Sequence, residues 1–224
     1  MDEETRFRRR NDLIRKRLLK YTRKAFRMLP ALDKPRVLDI GCGSGVPTLE
    51  LARLTDGQVT GIDIEDYLLD MLRAKIARAA LADRVQAIHG SITEMPFTDG
   101  SFDIIWAEGS IFVTGFEKGL RQWRRLLRPG GYLAVHDSSG DIKEKIEQIR
   151  NYAYTLLGYF TLDENAWRRE YYAPLAELVA ETSAKGVTDN GTKRLLQEAR
   201  QEIEMLEKTP QRYRSAFFVM QKNP

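Results

Sequence analysis

The sequence contains very little cysteine and histidine, and it lacks a long apolar run. A single cysteine, Cys42, excludes a disulfide framework and a metal site built from several thiolates. Two isolated histidines, His89 and His136, are too few for a dedicated zinc cluster, so we expect no bound metal. No apolar stretch approaches the roughly 18 residues that a membrane span needs. The N-terminus also lacks the apolar core of a secretory signal, so we expect a cytoplasmic protein with no membrane span.

The overall composition is that of an ordinary globular protein. Lysine and arginine number 36 against 32 acidic residues, and 42% of the 224 residues are hydrophobic. A chain of this length buries well over half of its unfolded surface as one unit. We therefore predict a single domain over residues 1–224.

The basic residues are concentrated at the N-terminus. Residues 1–29 contain eleven basic and four acidic side chains, a net charge of +7 that leaves −3 for the rest of the chain. Apolar residues recur there at helical spacing, at Ile14, Leu18, Tyr21, Ala25 and Met28. We interpret residues 1–30 as a basic cap helix whose apolar stripe packs on the main domain. The alternative is an arm that attracts nucleic acid or an anionic membrane surface.

Short apolar strands alternate with amphipathic helices from residue 36 onward. The predicted strands are 37–40, 59–64, 85–89, 104–107, 133–137 and 215–220, and the predicted helices are 48–54, 67–82, 116–127, 142–153 and 193–207. This alternation is typical of a parallel sheet covered by helices on both faces. Residues 36–140 form the predicted core. Residues 141–224 form a variable part, with a helical insertion before the last strand.

A glycine-rich loop joins the first strand to its helix. Gly41, Gly43 and Gly45 permit a tight turn and close approach of a ligand to the backbone. The dinucleotide fingerprint Gly-x-Gly-x-x-Gly fails, because Val46 occupies its last position. Asp39, at the mouth of the loop, would repel a pyrophosphate and favour a ligand that carries positive charge.

Asp63 ends the second strand. An acid at that position can accept hydrogen bonds from both ribose hydroxyls of a nucleoside, or it can cap the next helix. Together with the loop, it predicts a nucleoside ligand with a cationic, phosphate-free tail. S-adenosylmethionine, with its adenosine, sulfonium and amino acid parts, has this chemistry.

Five blocks of sequence resemble the class I S-adenosylmethionine-dependent methyltransferases: residues 37–45, 59–64, 90–97, 101–106 and 127–133. The resemblance is strongest to the small-molecule branch related to ubiquinone and menaquinone biosynthesis enzymes. It implies an α/β, Rossmann-like fold with a mostly parallel seven-stranded sheet and helices on both faces. It also implies S-adenosyl-L-methionine as cofactor and S-adenosyl-L-homocysteine as product.

The resemblance assigns cofactor-binding residues by position. Around the methionine part it places Asp39, Gly41, Cys42, Gly43 and Gly45. Asp63 would bind the ribose, Ile64 would pack on the adenine face, and Gly90, Ser91 and Ile92 would border the adenine edge. Many relatives have aspartate at the position of Ser91. Glu108 lies where the methyl group and its acceptor should meet.

Acceptor-side candidates follow from the strand ends and from an aromatic segment. A general base is needed only if the acceptor loses a proton near the transition state, and Glu108, His136 and Asp137 are candidates at strand carboxyl ends. His136 can instead be a hydrogen-bonded structural histidine, and Asp137 can cap the next helix. Trp167, Tyr171 and Tyr172 either line an acceptor pocket or pack in the core.

The sequence therefore predicts an enzyme that transfers a methyl group to a small-molecule acceptor by in-line displacement. Two alternatives remain open. One is an RNA or DNA methyltransferase that uses the basic helix, although residues 107–110 read Ala-Glu-Gly-Ser and not an Asn-Pro-Pro-Tyr-like motif. The other is a non-catalytic protein that binds S-adenosylmethionine.

Overall fold

The computed structural model describes residues 2–224, which contain a seven-stranded sheet in the order β3-β2-β1-β4-β5-β7-β6. The strands are β1 Arg36–Ile40, β2 Gln58–Asp63, β3 Val85–His89, β4 Phe102–Glu108, β5 Leu127–Ser138, β6 Tyr154–Leu162 and β7 Ser215–Lys222. The pairs β1–β2, β2–β3, β1–β4 and β4–β5 are all parallel. The predicted α/β class and the mostly parallel seven-stranded sheet are confirmed.

The helices alternate with the strands of the sheet and dominate the inserted region. They are α1 Glu3–Arg15, α2 Leu19–Phe26, α3 Val46–Leu54, α4 Asp66–Arg78, α5 Phe116–Trp123, α6 Ile142–Asn151, α7 Glu164–Trp167, α8 Ala173–Ser183 and α9 Asn190–Lys208. Within residues 2–224, none of these helices is long and apolar enough to cross a membrane.

The chain divides into two compact units. The sheet unit comprises Tyr21–Thr161 and Ala216–Pro224, and the helical unit comprises residues 2–20 and Leu162–Ser215. The single domain over 1–224 stays a prediction.

The sheet unit is held by apolar side chains from its central strands. Leu38, Ile40, Ile105 and Leu133 are completely buried and belong to one continuous cluster. Strands of a parallel sheet are covered on both faces, which explains why β1 and β4 read as short apolar runs. Asp39 interrupts the apolar run of β1 and is nevertheless 1% exposed. A buried acid in a central strand needs a functional explanation.

The segment before β5 differs from its prediction. The helix expected over 116–127 ends at Trp123, and residues Arg124–Leu126 continue as a 3₁₀ turn. Residues 128–131 lie inside β5 because a bulge absorbs them: Phe102 pairs with Leu127, and Ile104 pairs with Tyr132. Gly130 allows this with a φ of 72°. The structure also shows β6, which the sequence does not predict as a strand but only as an apolar stretch over 154–162.

The basic N-terminal segment contributes to both units. A 3₁₀ turn over Lys16–Leu18 separates α1 from α2. Phe7, Ile14 and Leu18 pack in the apolar cluster of the helical unit, which includes residues of α8 and α9. In the sheet unit, Ala25 is completely buried and Phe26 packs on Trp106. The apolar stripe predicted for one cap helix is thus divided between two apolar environments.

Candidate functional site

The glycine loop between β1 and α3 is fixed by backbone hydrogen bonds. The amides of Gly41 and Cys42 donate to the carbonyl oxygen of Ile62 on β2, at 2.9 and 3.1 Å. Gly41, Gly43 and Gly45 have φ values of 70°, 53° and 81°, which side chains rarely tolerate. A Cβ on Gly43 would meet no atom closer than the Leu68 Cδ1 at 4.0 Å. The backbone at Gly43 is therefore open to a ligand.

Asp39 lies beneath this loop as a buried acid. Its Oδ2 accepts a hydrogen bond of 2.6 Å from the Thr48 hydroxyl on α3. The pKa of Asp39 is raised to about 7, mainly by burial and to a smaller extent by the charges of Glu108 and Asp63, while the Thr48 hydrogen bond acts in the opposite direction. The ionised carboxylate is costly in this environment, and a cationic group would stabilise it.

Asp63 connects the glycine loop to the turn after β2. Its Oδ2 accepts from the Gly43 amide at 2.8 Å, and its Oδ1 accepts from the Glu65 amide at 3.0 Å. The N-cap of α4 is Glu65, so the alternative interpretation of Asp63 as a helix cap is wrong. Each carboxylate oxygen can accept a further hydrogen bond, which leaves capacity for two hydroxyl groups.

The residues after β2 and β3 form the adjoining edge of the site. Ile64, directly after Asp63, is 61% exposed, so its apolar side chain is accessible to a ligand. The Gly90 amide donates to the Asp63 carbonyl at 2.9 Å. The Ser91 hydroxyl contacts the Thr93 hydroxyl at 2.8 Å, and Ile92 packs on the core. Ile64 and Gly90 adjoin Asp63, and the assignment of this edge to the adenine stays a prediction.

Cys42 lies within the loop as a buried thiol. Burial raises its pKa, and the charges of Asp39 and Asp63 raise it further. A Cβ on Gly61 of β2 would lie 2.8 Å from the Cys42 sulfur. The thiol is therefore a packing group in the neutral form.

Glu108 ends β4 beside the glycine loop. Its Oε1 accepts a hydrogen bond of 2.7 Å from the indole nitrogen of Trp106, which is completely buried. The next residues approach the loop too: the Ser110 hydroxyl donates to the Ile40 carbonyl at 2.5 Å. The sequence analysis missed Trp106, although its spacing of two residues from Glu108 on a predicted strand implies a shared face.

His136 and Asp137 lie near the end of β5, and His136 pairs in register with Glu108. The His136 ring stacks on Phe217 with centroids 4.6 Å apart. Burial lowers the pKa of His136 to about 4, so the imidazole is neutral at pH 7. Asp137 forms a buried ion pair with Lys145 of α6. Asp141 caps that helix, so the interpretation of Asp137 as its cap is wrong.

Trp167, Tyr171 and Tyr172 lie in the helical unit. Tyr171 and Tyr172 are each 7% exposed, and their ring centroids are 4.9 Å apart at a steep angle. The indole of Trp167 donates to the Ser215 hydroxyl at 2.9 Å. All three belong to the apolar cluster with Phe7, so packing accounts for their burial.

The parallel sheet, the glycine loop after β1 and the acids Asp39 in β1 and Asp63 at the end of β2 are the arrangement of a Rossmann-like fold, in which ligands enter at the carboxyl ends of the strands. A family described as "Methyltransferase domain" matches residues 37–131. The demethylmenaquinone methyltransferase of Listeria monocytogenes is 30% identical over 162 residues, 68% of each chain. The chain belongs to the S-adenosylmethionine-dependent methyltransferase family.

Two further comparisons extend this result. The 27-O-demethylrifamycin SV methyltransferase of Amycolatopsis mediterranei is 34% identical over 143 residues, which cover 61% of this chain. A methyltransferase from Geobacter sulfurreducens, solved with S-adenosyl-L-homocysteine, shares the fold with a TM-score of 0.71 at 20% identity, and the match covers 90% of this chain and 89% of that one. The chain spans 53% of the rifamycin enzyme and 27% and 37% of two other curated relatives.

Proposed function

We propose that this chain transfers the methyl group of S-adenosylmethionine to a small-molecule acceptor. The observation that carries the proposal is the buried carboxyl of Asp39 under a glycine loop whose backbone is open at Gly43. A pyrophosphate would meet repulsion there, whereas the cationic amino acid part of S-adenosylmethionine would stabilise the ionised carboxylate. Membership of the methyltransferase family supports the same cofactor.

The residues around the loop fit this cofactor. Asp39 and the backbone of Gly41, Gly43 and Gly45, beside Cys42, would hold its methionine part. Asp63 has one free acceptor position on each oxygen for the two ribose hydroxyls. The exposed side chain of Ile64 would cover one face of the adenine, and residues Gly90–Ile92 would border its edge.

The bound cofactor supplies an electrophilic methyl group on a sulfonium. Because displacement from a sulfonium spreads a positive charge that is already present, the protein mainly has to align the reacting groups. Glu108 would contact the acceptor or its proton at this point, beside the loop. His136 is neutral at pH 7 and pairs in register with Glu108, so its imidazole lies beside the carboxylate without adding a charge there.

Ion pairs in the basic N-terminal segment favour a small-molecule acceptor over nucleic acid. Arg6 pairs with Glu3, Arg8 with Glu4, Arg10 with Glu181, Lys20 with Glu170, and Arg23 with Glu50. Basic side chains that are already paired with carboxylates have less positive charge available to neutralise phosphates. The names of the rifamycin and menaquinone relatives point to small acceptors as well.

The test incubates the purified chain and a cell extract with methyl-labelled S-adenosylmethionine and then fractionates the label. We expect label in the small-molecule fraction, because the site is built for alignment of a small nucleophile. The matched control is Asp63→Ala, which removes both acceptor oxygens of the ribose site. That variant is expected to lower incorporation at least tenfold at low cofactor concentration.

Other outcomes separate the alternatives. Label that disappears on nuclease treatment would contradict the small-molecule proposal and favour an RNA or DNA acceptor. Tight binding of S-adenosylmethionine without label above the Asp63→Ala control, across extracts prepared from several growth conditions, would favour a non-catalytic binding protein.

A further inference from the structure

The indole of Trp106 lies directly beneath the carboxylate of Glu108. Trp106 and Glu108 are two residues apart on β4, so their side chains leave the same face of the sheet. The 2.7 Å bond from the indole nitrogen to Oε1 is charge-assisted when Glu108 is ionised. It joins one of the two carboxylate oxygens to a fixed donor.

The donor itself is fixed by its surroundings. Trp106 is completely buried, and it pairs in register with Asp39 on β1 and with Ala134 on β5. The ring of Phe26 packs against it with centroids 6.2 Å apart. Since the indole cannot rotate without opening a buried space, its N–H defines one direction relative to the sheet. A glutamate held by such a donor loses much of its rotamer freedom before any ligand binds.

We propose that Trp106 is a positioning residue, which orients the Glu108 carboxylate at the point of methyl transfer and acts on the reaction only through Glu108. The inference rests on the proposed function, because it assumes that Glu108 faces the acceptor. Pre-orientation of this kind affects turnover more than cofactor affinity, since a displacement of about 1 Å can cost about 100-fold in rate.

The kinetic test uses Trp106→Phe, which keeps an aromatic ring and removes only the donor and part of the volume. We expect kcat to fall about 10- to 100-fold, while KM for the cofactor changes by less than about 3-fold. Trp123→Phe is the matched control: Trp123 is also completely buried, and its indole donates to the Ile92 carbonyl at 3.2 Å. Trp123→Phe removes the same volume and the same kind of donor as Trp106→Phe. Because Trp123 contacts Ile92 at the predicted adenine edge, any effect of Trp123→Phe should change KM for the cofactor and not kcat.

A double-mutant cycle distinguishes positioning from general support of the fold. In a Glu108→Gln background there is no carboxylate to orient, so adding Trp106→Phe should lower kcat by less than about 3-fold. A purely structural role for Trp106 predicts instead that the two losses multiply. Multiplying losses would overturn the proposal.

The interaction can also be tested without turnover. The three tryptophans give three indole N–H signals in a nitrogen-labelled sample, and the other two donate to neutral oxygens, the Ile92 carbonyl and the Ser215 hydroxyl. The signal missing in Trp106→Phe should shift in Glu108→Gln, while the other two should not. If it stays in place, the proposed orientation is wrong. This result does not depend on the acceptor, so it separates failure of the inference from failure of the proposed function.

Discussion

Asp39→Asn is expected to weaken the binding of S-adenosylhomocysteine about 100-fold while raising thermal stability above pH 7. Binding weakens because asparagine keeps the shape and the hydrogen bond from Thr48 but provides no negative charge for the amino group of the ligand. Loss of a charged partner in a buried site costs roughly 2–4 kcal/mol, which is consistent with a loss of this size. Calorimetric titration of the purified variant measures it.

The stability gain follows from the raised pKa of Asp39. In the folded chain the carboxyl holds its proton up to about pH 7, whereas the reference pKa is 3.8. The folded state therefore binds more protons between these values, and stability falls as pH rises through that window. Above pH 7 the ionised carboxylate costs a few kcal/mol, which Asp39→Asn removes. The difference in Tm should be near zero at pH 4 and grow to several degrees at pH 8.

An exposed acid provides the control for this substitution. Asp99, whose side chain is 75% exposed and pairs with Arg125, can be changed to asparagine with the same change in charge. Asp99→Asn should leave ligand affinity unchanged and show no such pH-dependent gain in Tm. An unchanged affinity of Asp39→Asn for S-adenosylhomocysteine would show that Asp39 is not part of the binding site.

Gly43→Ala is expected to weaken ligand binding and Gly41→Ala to destabilise the fold, although the two residues are close neighbours in one loop. A Cβ on Gly43 meets nothing closer than 4.0 Å. The free energy of unfolding should therefore fall only by the strain of a φ of 53°, roughly 1–2 kcal/mol. The added methyl would, however, occupy the open side of the loop. We expect Gly43→Ala to fold and to bind S-adenosylhomocysteine at least 30-fold more weakly, as measured by calorimetry.

Gly41→Ala should instead damage the fold. Its Cβ would lie 2.4 Å from the Cβ of Ser110, which is buried and bonded to the Ile40 carbonyl. Strain and overpacking together should cost about 3 kcal/mol or more, which denaturant unfolding measures. Adding Ser110→Gly removes the clash but not the strain, so it should restore part of the loss. Equal stability of the two single variants would contradict this account of the loop.

The sequence was sufficient to predict β1 to β4 and the glycine loop because their signals are local. The apolar run before Gly41 and the glycine spacing predict β1 and the turn without any knowledge of the rest of the fold. The glycine at 130 is different: a Pro-Gly pair reads as a helix stop, and only the pairing of β4 with β5 shows that it forms a bulge inside a strand.

The side-chain pairs of the site depend on tertiary structure and could not be assigned from sequence. Asp137 pairs with Lys145 across a turn, while the cap of α6 is Asp141, and the local sequence around Asp137 does not show which side chain it contacts. The apolar stripe from Ile14 to Met28 predicts helical structure, but the periodicity shows neither the 3₁₀ turn at Lys16–Leu18 nor that the two halves of the stripe pack in different clusters.

The central claim is that Asp39 is about half protonated in the free chain at pH 7 and loses this proton when a cationic group of the ligand binds beside it. Calorimetric titration with S-adenosylhomocysteine at pH 7, in two buffers of different ionisation enthalpy, counts the protons released. We predict a release of about half a proton more for the native chain than for Asp39→Asn, and affinity that weakens below pH 7 toward tenfold per pH unit. Equal proton counts for the two proteins and an affinity that is constant between pH 6 and 8 would contradict the claim.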